Sequence, residues 1–151
     1  MTRYAISQPV TQVEAPRLLT GKGRFTDDLN LPRLAFAVFL RSPHAHADIR
    51  SIDKSAAEAM PGVLAVLTGA DYDADGLGNV RGISPAKRRD GSPMYRPPRP
   101  ALTRDRVRHV GQSLALVIAE SINQAKDAAE AIEVTYAALP AHLSTATANE
   151  P

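Results

Sequence analysis

Apolar and polar residues along the first half of the chain predict three strands and one short helix. A nearly continuous apolar run at 34–40 predicts a strand buried on both faces, and alternation at 46–52 predicts a second strand. Residues 55–60 begin with a capping-box pattern and predict a helix, for which Asp53 is an alternative cap. The apolar residues 63–67 predict the third strand.

A second strand–helix–strand unit follows near the end of the chain. Residues 114–119 predict a buried strand, and residues 132–136 predict an alternating one. Between them, a second capping box opens a predicted helix over 122–131. Its apolar face is predicted to consist of Ile122, Ala125, Ala129 and Ile132.

The middle of the chain has neither a helical nor a strand periodicity. Residues 71–100 hold many glycines and prolines, which oppose regular structure, and they predict one long irregular loop. Loops of this length are usually functional, mobile or packed on a partner.

These elements predict an α+β fold with a mixed β-sheet, two short alanine-rich helices packed on one side, and the long loop inserted between the two units. Pro9 and Pro16 oppose regular structure near the start of the chain. The predicted organisation is therefore an irregular lead-in at 1–20, a domain at 21–143 and a polar tail at 144–151.

The composition is that of a single folded domain, since the 151 residues are 44% hydrophobic and 23% charged. The absence of cysteine excludes a disulfide, an iron–sulfur cluster ligated by this chain and a thiolate zinc site. No apolar run has the length of a transmembrane helix, and the first residues lack the apolar core of a signal peptide. We therefore expect a soluble, cytoplasmic protein without a membrane partner.

Positive charge is concentrated in residues 80–110. That segment has nine basic and two acidic residues, a net charge of +7, whereas the rest of the chain has nine basic and fourteen acidic residues, a net charge of −5. Three interpretations stay open: a solvated loop, a docking surface for an acidic face of a parent enzyme or another subunit, and a nucleic-acid site. Nucleic acid is disfavoured because only Tyr95 is available to stack on bases. The residues predicted to contact a partner are Lys87, Arg88, Arg89, Arg96 and Arg99.

Three patterns imitate ligand-binding loops. Residues 71–76 resemble the first half of a calcium-binding loop, but Gly82 stands where that loop needs a bidentate glutamate. Residues 21–23 lack the spacing of a phosphate-binding loop, and residues 76–78 lack the third glycine of a dinucleotide fingerprint. We expect all three to be turns.

The two histidines at His44 and His46 would share one face of a strand. A zinc or copper site needs a third ligand, and the sequence does not place His109 or His142 nearby. We expect both side chains to be structural and to hydrogen-bond the Pro43 turn or a neighbouring domain.

The sequence does not indicate a serine nucleophile, because Ser42, Ser84 and Ser113 lack the glycine-flanked elbow of serine hydrolases. No catalytic, cofactor-binding or metal-binding residue is therefore predicted on this chain.

Several ordered stretches carry a family resemblance. They are GKGRFTDDLNLP at 21–32, RSPHAHA at 41–47, MPGVLAVLTG at 60–69, ALTRDRVRHVGQ at 101–112, LVIAE and QAKDAAE within 116–130, and VTYAALPA at 134–141. Together they resemble the opening of the large, molybdenum-binding subunit of the xanthine dehydrogenase, aldehyde oxidase and carbon monoxide dehydrogenase family. The resemblance leaves 80–100 unmatched, and it departs at Ser113, where the family usually has proline. We expect this departure to loosen the turn slightly.

The resemblance implies an α/β hammerhead domain that precedes the part of the subunit that binds the molybdopterin cofactor. The cofactor-contacting loops and the active-site glutamate of the family lie beyond this region, so no catalytic residue carries over. The whole assembly would be an oxidoreductase that hydroxylates an aldehyde, an N-heterocycle or a similar small substrate with water as the oxygen source.

The same resemblance implies the partners and cofactors of the assembly. Molybdopterin would be bound by the remainder of the large subunit, and FAD and [2Fe–2S] centres would be carried by partner chains or domains. We therefore expect a non-catalytic structural or assembly domain, present as a fragment or a separately encoded piece. The alternatives are a free-standing protein-binding module that uses the Arg-rich loop 81–108, and an independent enzyme with an unrecognised site.

Overall fold

The computed structural model describes residues 11–80 and 87–146. The chain divides after Leu34 into two compact units. In the first unit, helix α1 covers Ala15–Leu19, and a 3₁₀ turn covers Thr26–Asp28. The helix corrects the expectation of an irregular lead-in, because Pro16 lies in its first turn, where a proline costs no intrahelical hydrogen bond.

The second unit contains six strands and three helices within its described residues. They are β1 (Phe36–Arg41), β2 (Ala47–Asp53), α2 (Ser55–Glu58), β3 (Val63–Thr68), α3 (Gly69–Ala74), β4 (Arg106–Val107), β5 (Ser113–Ala119), α4 (Ile122–Glu130) and β6 (Glu133–Ala138). They form two three-stranded sheets with the strand orders β1-β5-β3 and β4-β2-β6. Every strand pair in both sheets is antiparallel.

The α+β class is confirmed, whereas the single mixed sheet is wrong. Strand β2 before helix α2 belongs to one sheet, and strand β3 after it belongs to the other. Helix α4 likewise joins β5 of the first sheet to β6 of the second. Each predicted strand–helix–strand unit therefore connects two sheets, so it never makes the parallel crossover that a mixed sheet would contain.

The main core lies between the first sheet and the two predicted helices. Ala125 and Ala128 of α4 are fully buried against β5, whose Val117 and Ala119 are buried as well. Alanine side chains let the helix approach the sheet closely. The predicted apolar face of α4 holds except at Ile122, which is 40% exposed.

The two predicted capping boxes have different outcomes. Ser121 caps α4, since its Oγ accepts a hydrogen bond from the backbone N–H of Gln124 at 3.3 Å. At α2 neither predicted cap forms, because the N-cap residue is Lys54 and it makes no side-chain cap hydrogen bond. Asp53 Oδ1 instead accepts from the backbone N–H of Ser55 at 2.9 Å, just before the helix. The hydrogen bonds from Ser55 to Asp53 lower the pKa of that carboxyl group.

The strand at 34–40 is buried on one face only, which corrects the prediction of burial on both. Val38 and Leu40 pack on the core, whereas Phe39 between them is 44% exposed. The long loop begins later than predicted, because α3 occupies residues 69–74. Beyond it, no helix or named strand forms within the described residues 75–80 and 87–105.

In the described part of the chain, no helix combines the length and hydropathy that a membrane span would require.

Replacement of Ala128 by leucine is expected to lower the free energy of unfolding by about 1–3 kcal/mol, because this fully buried position is already closely packed. The matched control is Lys126→Leu on the exposed side of the same helix, which should change it by less than about 0.5 kcal/mol. Urea unfolding followed by circular dichroism measures both. Equal midpoints for Ala128→Leu and the unsubstituted chain would contradict the packing of α4 on the sheet.

Candidate functional site

The basic loop contains a tight turn that holds three of the predicted contact residues. Lys87 forms an antiparallel bridge with Pro93, and the backbone N–H of Arg88 donates to the carbonyl oxygen of Ser92 at 2.9 Å. Asp90 Oδ1 accepts from the backbone N–H of Ser92 at 2.9 Å and from its Oγ at 2.6 Å. These bonds lower the pKa of Asp90 and keep its carboxylate directed at the turn itself. Three consecutive cations, 87–89, are therefore presented to solvent.

The far end of the loop leads into a cleft. The backbone N–H of Val80 donates to the carbonyl oxygen of Arg99 at 2.8 Å. This hydrogen bond connects the two described segments of the loop. Beside this point lies a cleft of about 520 Å³. Its lining consists of Arg41, Pro97, Pro98, Arg99, Pro100, Ala101, Arg108, His109, Gly111, Gln112 and Ser113. None of these described lining residues is acidic.

Arg41 enters this cleft through the pairing of β1 with β5. Its Nη1 donates to the carbonyl oxygen of Gly111 at 2.9 Å and to Ser113 Oγ at 3.4 Å. Its Cζ lies 5.5 Å from the ring centroid of Phe39, a cation–π distance. Two backbone bonds between Ser42 and residues 111 and 112, at 2.8 and 2.9 Å, fix the turn that Arg41 contacts.

The remaining basic residues of 104–106 are neutralised by carboxylates. Arg104 Nη1 lies 3.0 Å from Asp73 Oδ2, and Arg106 Nε donates a short hydrogen bond to Asp48 Oδ1. That hydrogen bond lowers the pKa of Asp48 and raises the pKa of Arg106.

The arginines of the cleft differ from Arg104 and Arg106 in their charge pairing. Among the described residues, no carboxylate lies within ion-pair distance of Arg41, Arg99 or Arg108. Three guanidinium groups in one concave surface produce a positive potential that attracts anionic groups. The cleft is therefore a concavity that attracts anionic groups.

The structure separates the five predicted contact residues. Arg99 lines the cleft, whereas Lys87, Arg88 and Arg89 lie in the turn. Arg96 is exposed and lies between them in the sequence. Sequence reasoning missed Arg41. This residue lies outside the basic segment 80–110, in a part of the chain with a negative net charge, and it reaches the cleft only through strand pairing. The RSPHAHA stretch at 41–47, which begins with this arginine, was the available signal.

The histidine pair makes structural contacts at places other than the predicted Pro43 turn. The rings of His44 and Tyr136 have centroids 4.5 Å apart, and His46 Nδ1 lies 2.6 Å from the carbonyl oxygen of Pro140. Burial raises the pKa of Tyr136. Within residues 11–80 and 87–146, no three His, Asp or Glu side chains are grouped as metal ligands would be.

The calcium-like stretch at 71–76 forms the later part of helix α3 and the turn that ends it. Asp71 Oδ2 accepts from the backbone N–H and the Oγ1 of Thr68, both at 2.7 Å, and from Lys54 Nζ at 3.0 Å. The hydrogen bonds from Thr68 and then Lys54 lower the pKa of Asp71 to about 2. The capping of α3 and the ion pair therefore account for this carboxylate, and Gly82 lies outside the described residues.

The glycine patterns lie in turns, and Ser42 takes part in a local hydrogen bond. Gly21 and Gly76 both have φ near +69°, a conformation that glycine adopts without strain and that fits the predicted backbone turns. Ser42 is buried, and its Oγ accepts from the backbone N–H of His44 at 3.0 Å. Ser84 lies outside the described residues.

Comparison with known proteins decides the family. Residues 20–140 match the model described as "Aldehyde oxidase and xanthine dehydrogenase, a/b hammerhead domain". The chain belongs to this family. It is the hammerhead domain found in the large subunits of molybdenum hydroxylases.

Named relatives of this hammerhead domain are large subunits. The chain is 40% identical over 132 residues to the nicotine 6-hydroxylase large subunit of Paenarthrobacter nicotinovorans, covering 87% of this chain and 15% of that protein. It is 38% identical over 147 residues to the carbon monoxide dehydrogenase large chain of Afipia carboxidovorans, covering 93% and 16%. The chain thus spans about a sixth of the length of these relatives.

Solved structures agree with the fold of the hammerhead domain. The reconstituted CO dehydrogenase from Oligotropha carboxidovorans matches with a TM-score of 0.79 at 37% identity, over 94% of this chain and 16% of that one. Quinoline 2-oxidoreductase from Pseudomonas putida 86 matches with a TM-score of 0.78 at 38% identity, over 99% and 18%.

Ser113, where the sequence resemblance leads us to expect proline, lines the cleft. Ser113 begins β5, and its carbonyl oxygen accepts from the backbone N–H of Thr103 at 2.8 Å. The pairing register of β1 with β5 shifts between Leu40 and Arg41, next to this residue. The serine Oγ contributes an acceptor to Arg41 that a proline would not have.

Asp71→Asn is expected to flatten the pH dependence of the unfolding free energy. The pKa of Asp71 is about 2 in the fold, below its ordinary 3.8, so its stabilisation is present above the ordinary value and is lost as pH falls towards 2. Since the side chain is 37% exposed, screening reduces the effect to about 1 kcal/mol at neutral pH. Urea unfolding between about pH 6 and pH 2 measures it.

The control is Asp127→Asn, which removes an exposed carboxylate from α4. It should leave the pH profile nearly parallel to that of the unsubstituted chain. If Asp71→Asn also gave a parallel profile, the capping and ion-pair role of Asp71 would be refuted.

Proposed function

We propose that this hammerhead domain is a non-catalytic structural and assembly domain of a molybdenum hydroxylase large subunit, present as a fragment or a separately encoded piece. The observation that carries the proposal is the match to large subunits of which the chain spans only 15–16%. The proposed extent of the domain is 21–143, with a lead-in at 1–20 and a tail at 144–151.

The cofactors of the assembly are proposed to be bound by other parts of it. Molybdopterin would belong to the remainder of the large subunit, and FAD and [2Fe–2S] to partner chains or domains. In support, the chain has no cysteine to ligate an iron–sulfur cluster, and its described residues form no cluster of His, Asp and Glu that fits a metal ion. The side chains of this domain therefore contribute packing and charge, and we assign none of them a chemical step.

The contact residues of the domain are proposed to be Lys87, Arg88, Arg89, Arg96 and Arg99. Their partner would be an acidic face of the remainder of the large subunit or of a neighbouring subunit, in the cytoplasm. In support, the turn at 87–93 presents three cations, whereas Arg104 and Arg106 are neutralised within the domain. Nucleic acid and membrane are not among the proposed partners. The alternative of a free-standing module has no support in the comparisons, which match this domain to much larger chains.

The purified chain is expected to contain no stoichiometric molybdenum and to oxidise no aldehyde. Mixing it with the remainder of the large subunit from the same genome should yield a stable complex with restored activity. Elemental analysis, size-exclusion chromatography and an aldehyde oxidation assay measure these outcomes. Tight molybdenum binding by the isolated chain would contradict the non-catalytic role, and failure to form the complex would contradict the assembly role.

Reversal of the turn charges by Lys87→Glu, Arg88→Glu and Arg89→Glu is expected to slow association with that remainder about tenfold at low salt. The difference should shrink at about 0.5 M salt, where exposed charges are screened. Biolayer interferometry measures the association rate constant. The control Lys126→Glu reverses an exposed charge on α4 and should leave the rate unchanged. A triple variant that associates as fast as the unsubstituted chain would exclude the turn from the contact surface.

A further inference from the structure

Six apolar residues are grouped on one face of the sheet β1-β5-β3. The strand register aligns two rows across the three strands, on the side opposite the helices. One row is Ala37, Ile118 and Ala65, and the other is Phe39, Leu116 and Leu67. We call these six residues the open sheet face.

The open sheet face differs from the helix-covered face in exposure. On the covered side, Val117 and Val66 are buried beneath α2 and α4, with Val38 packed beside them. On the open side, Phe39 is 44% exposed and Leu67 is 38% exposed. An antiparallel sheet with one solvated face normally alternates apolar and polar residues, so a six-residue apolar surface departs from that rule. Exposed contiguous apolar surface of this kind marks an interaction site.

Two neighbouring features extend this surface. Leu64, which lies at the irregularity in the pairing of β3 with β5, is 57% exposed. On β1, Arg41 follows Phe39 by two residues on the same side of the strand, and its guanidinium carbon lies 5.5 Å from the Phe39 ring. Arg41 also lines the cleft with Arg99 and Arg108. The apolar face and the cationic cleft therefore meet at one residue.

We propose that the open sheet face and the cleft form a single docking surface for the remainder of the large subunit, which would present apolar side chains bordered by carboxylates. This inference rests on the proposed function and names the site that carries it. Within the described residues no carboxylate forms an ion pair with a cleft arginine, so these arginines are complementary to carboxylates on the partner. An apolar centre beside a charged rim is the usual anatomy of a protein interface.

The remainder of the large subunit is favoured over a second copy of this chain for two reasons. The relatives continue for about five-sixths of their length outside the region that this chain matches, so a large covering surface is available in the same subunit. A symmetric pair of copies would instead bring two sets of uncompensated arginines into one interface, which is unfavourable.

The test uses the chain and the molybdenum-binding remainder from the same genome, expressed as separate polypeptides. An apolar variant carries Phe39→Glu with Leu67→Glu, and a cationic variant carries Arg41→Glu with Arg108→Glu. The matched controls are Ile122→Glu, which changes an isoleucine of comparable exposure on α4, and Lys126→Glu, which reverses an exposed charge there. Isothermal titration calorimetry should show each docking variant binding at least tenfold more weakly and each control within twofold of the unsubstituted chain.

A second measurement needs no substitution. Hydroxyl-radical footprinting of the unsubstituted chain should oxidise Phe39 and Leu67 in the free state and protect both in the complex. Leu143, which is exposed and outside the docking surface, should be oxidised equally in both. If circular dichroism shows that the double variants do not fold, the footprinting of the unsubstituted chain tests the docking surface on its own.

The outcomes separate the two proposals. If the unsubstituted chain does not bind the remainder, the assembly function fails. If it binds while the docking variants bind equally well and Phe39 stays unprotected, the assembly function stands and this docking surface is wrong. If the apolar variant converts a dimer of this chain into a monomer without weakening the complex, the occupant is a second copy and the inference is overturned.

Discussion

Close packing of alanine-rich α4 on the central strand β5 is the constraint on which the architecture depends. Ala125 and Ala128 are fully buried against a strand that is itself buried at Val117 and Ala119. Strand β5 pairs with β1 and β3, so the helix fixes the middle of that sheet. The chain then leaves α4 for β6 in the other sheet, where Val134 packs against both hydrophobic clusters of the unit. With the helices gathered on one side, the opposite side of the first sheet is left with apolar residues that they do not cover.

Charge pairing divides the basic residues into two groups with different roles. Lys54, Arg104 and Arg106 are held by carboxylates and stabilise local structure. The guanidinium groups of Arg41 and Arg99 have no carboxylate in reach within the described residues, although Arg41 is positioned by hydrogen bonds to backbone and Ser113. An ordered cation without a counter-ion costs little while water surrounds it, and it gains a partner when an acidic surface approaches. A count of net charge does not show this distinction, because it treats the nine basic residues at 80–110 alike.

Local patterns predicted the elements well and their pairing badly. The helix expected at 122–131 is found at Ile122–Glu130, and Ser121 caps it as the capping box indicated. The single mixed sheet was wrong because strand pairing depends on contacts between distant residues, which periodicity does not encode. Helix α3 was missed because its residues carry turn-forming Asp and Gly, and the acceptor that stabilises it, Asp71, was interpreted as part of a calcium-like pattern. Likewise Arg99 was predicted from its basic neighbours, whereas Arg41 reaches the same cleft only after β1 pairs with β5.

The two cationic surfaces are supported by different parts of the fold, and this bears on what each one does. Arg41 and Arg108 lie in stretches that carry the family resemblance, at 41–47 and 101–112, and they flank the turn that joins the cleft to β5. The cations 87–89 lie in a turn within the long loop, which has no helix or named strand among the described residues 87–105. A surface supported by paired strands suits the contact that we propose with the remainder of the large subunit. A turn within the long loop suits a separate contact, because its charges can vary without disturbing the sheet that supports the cleft.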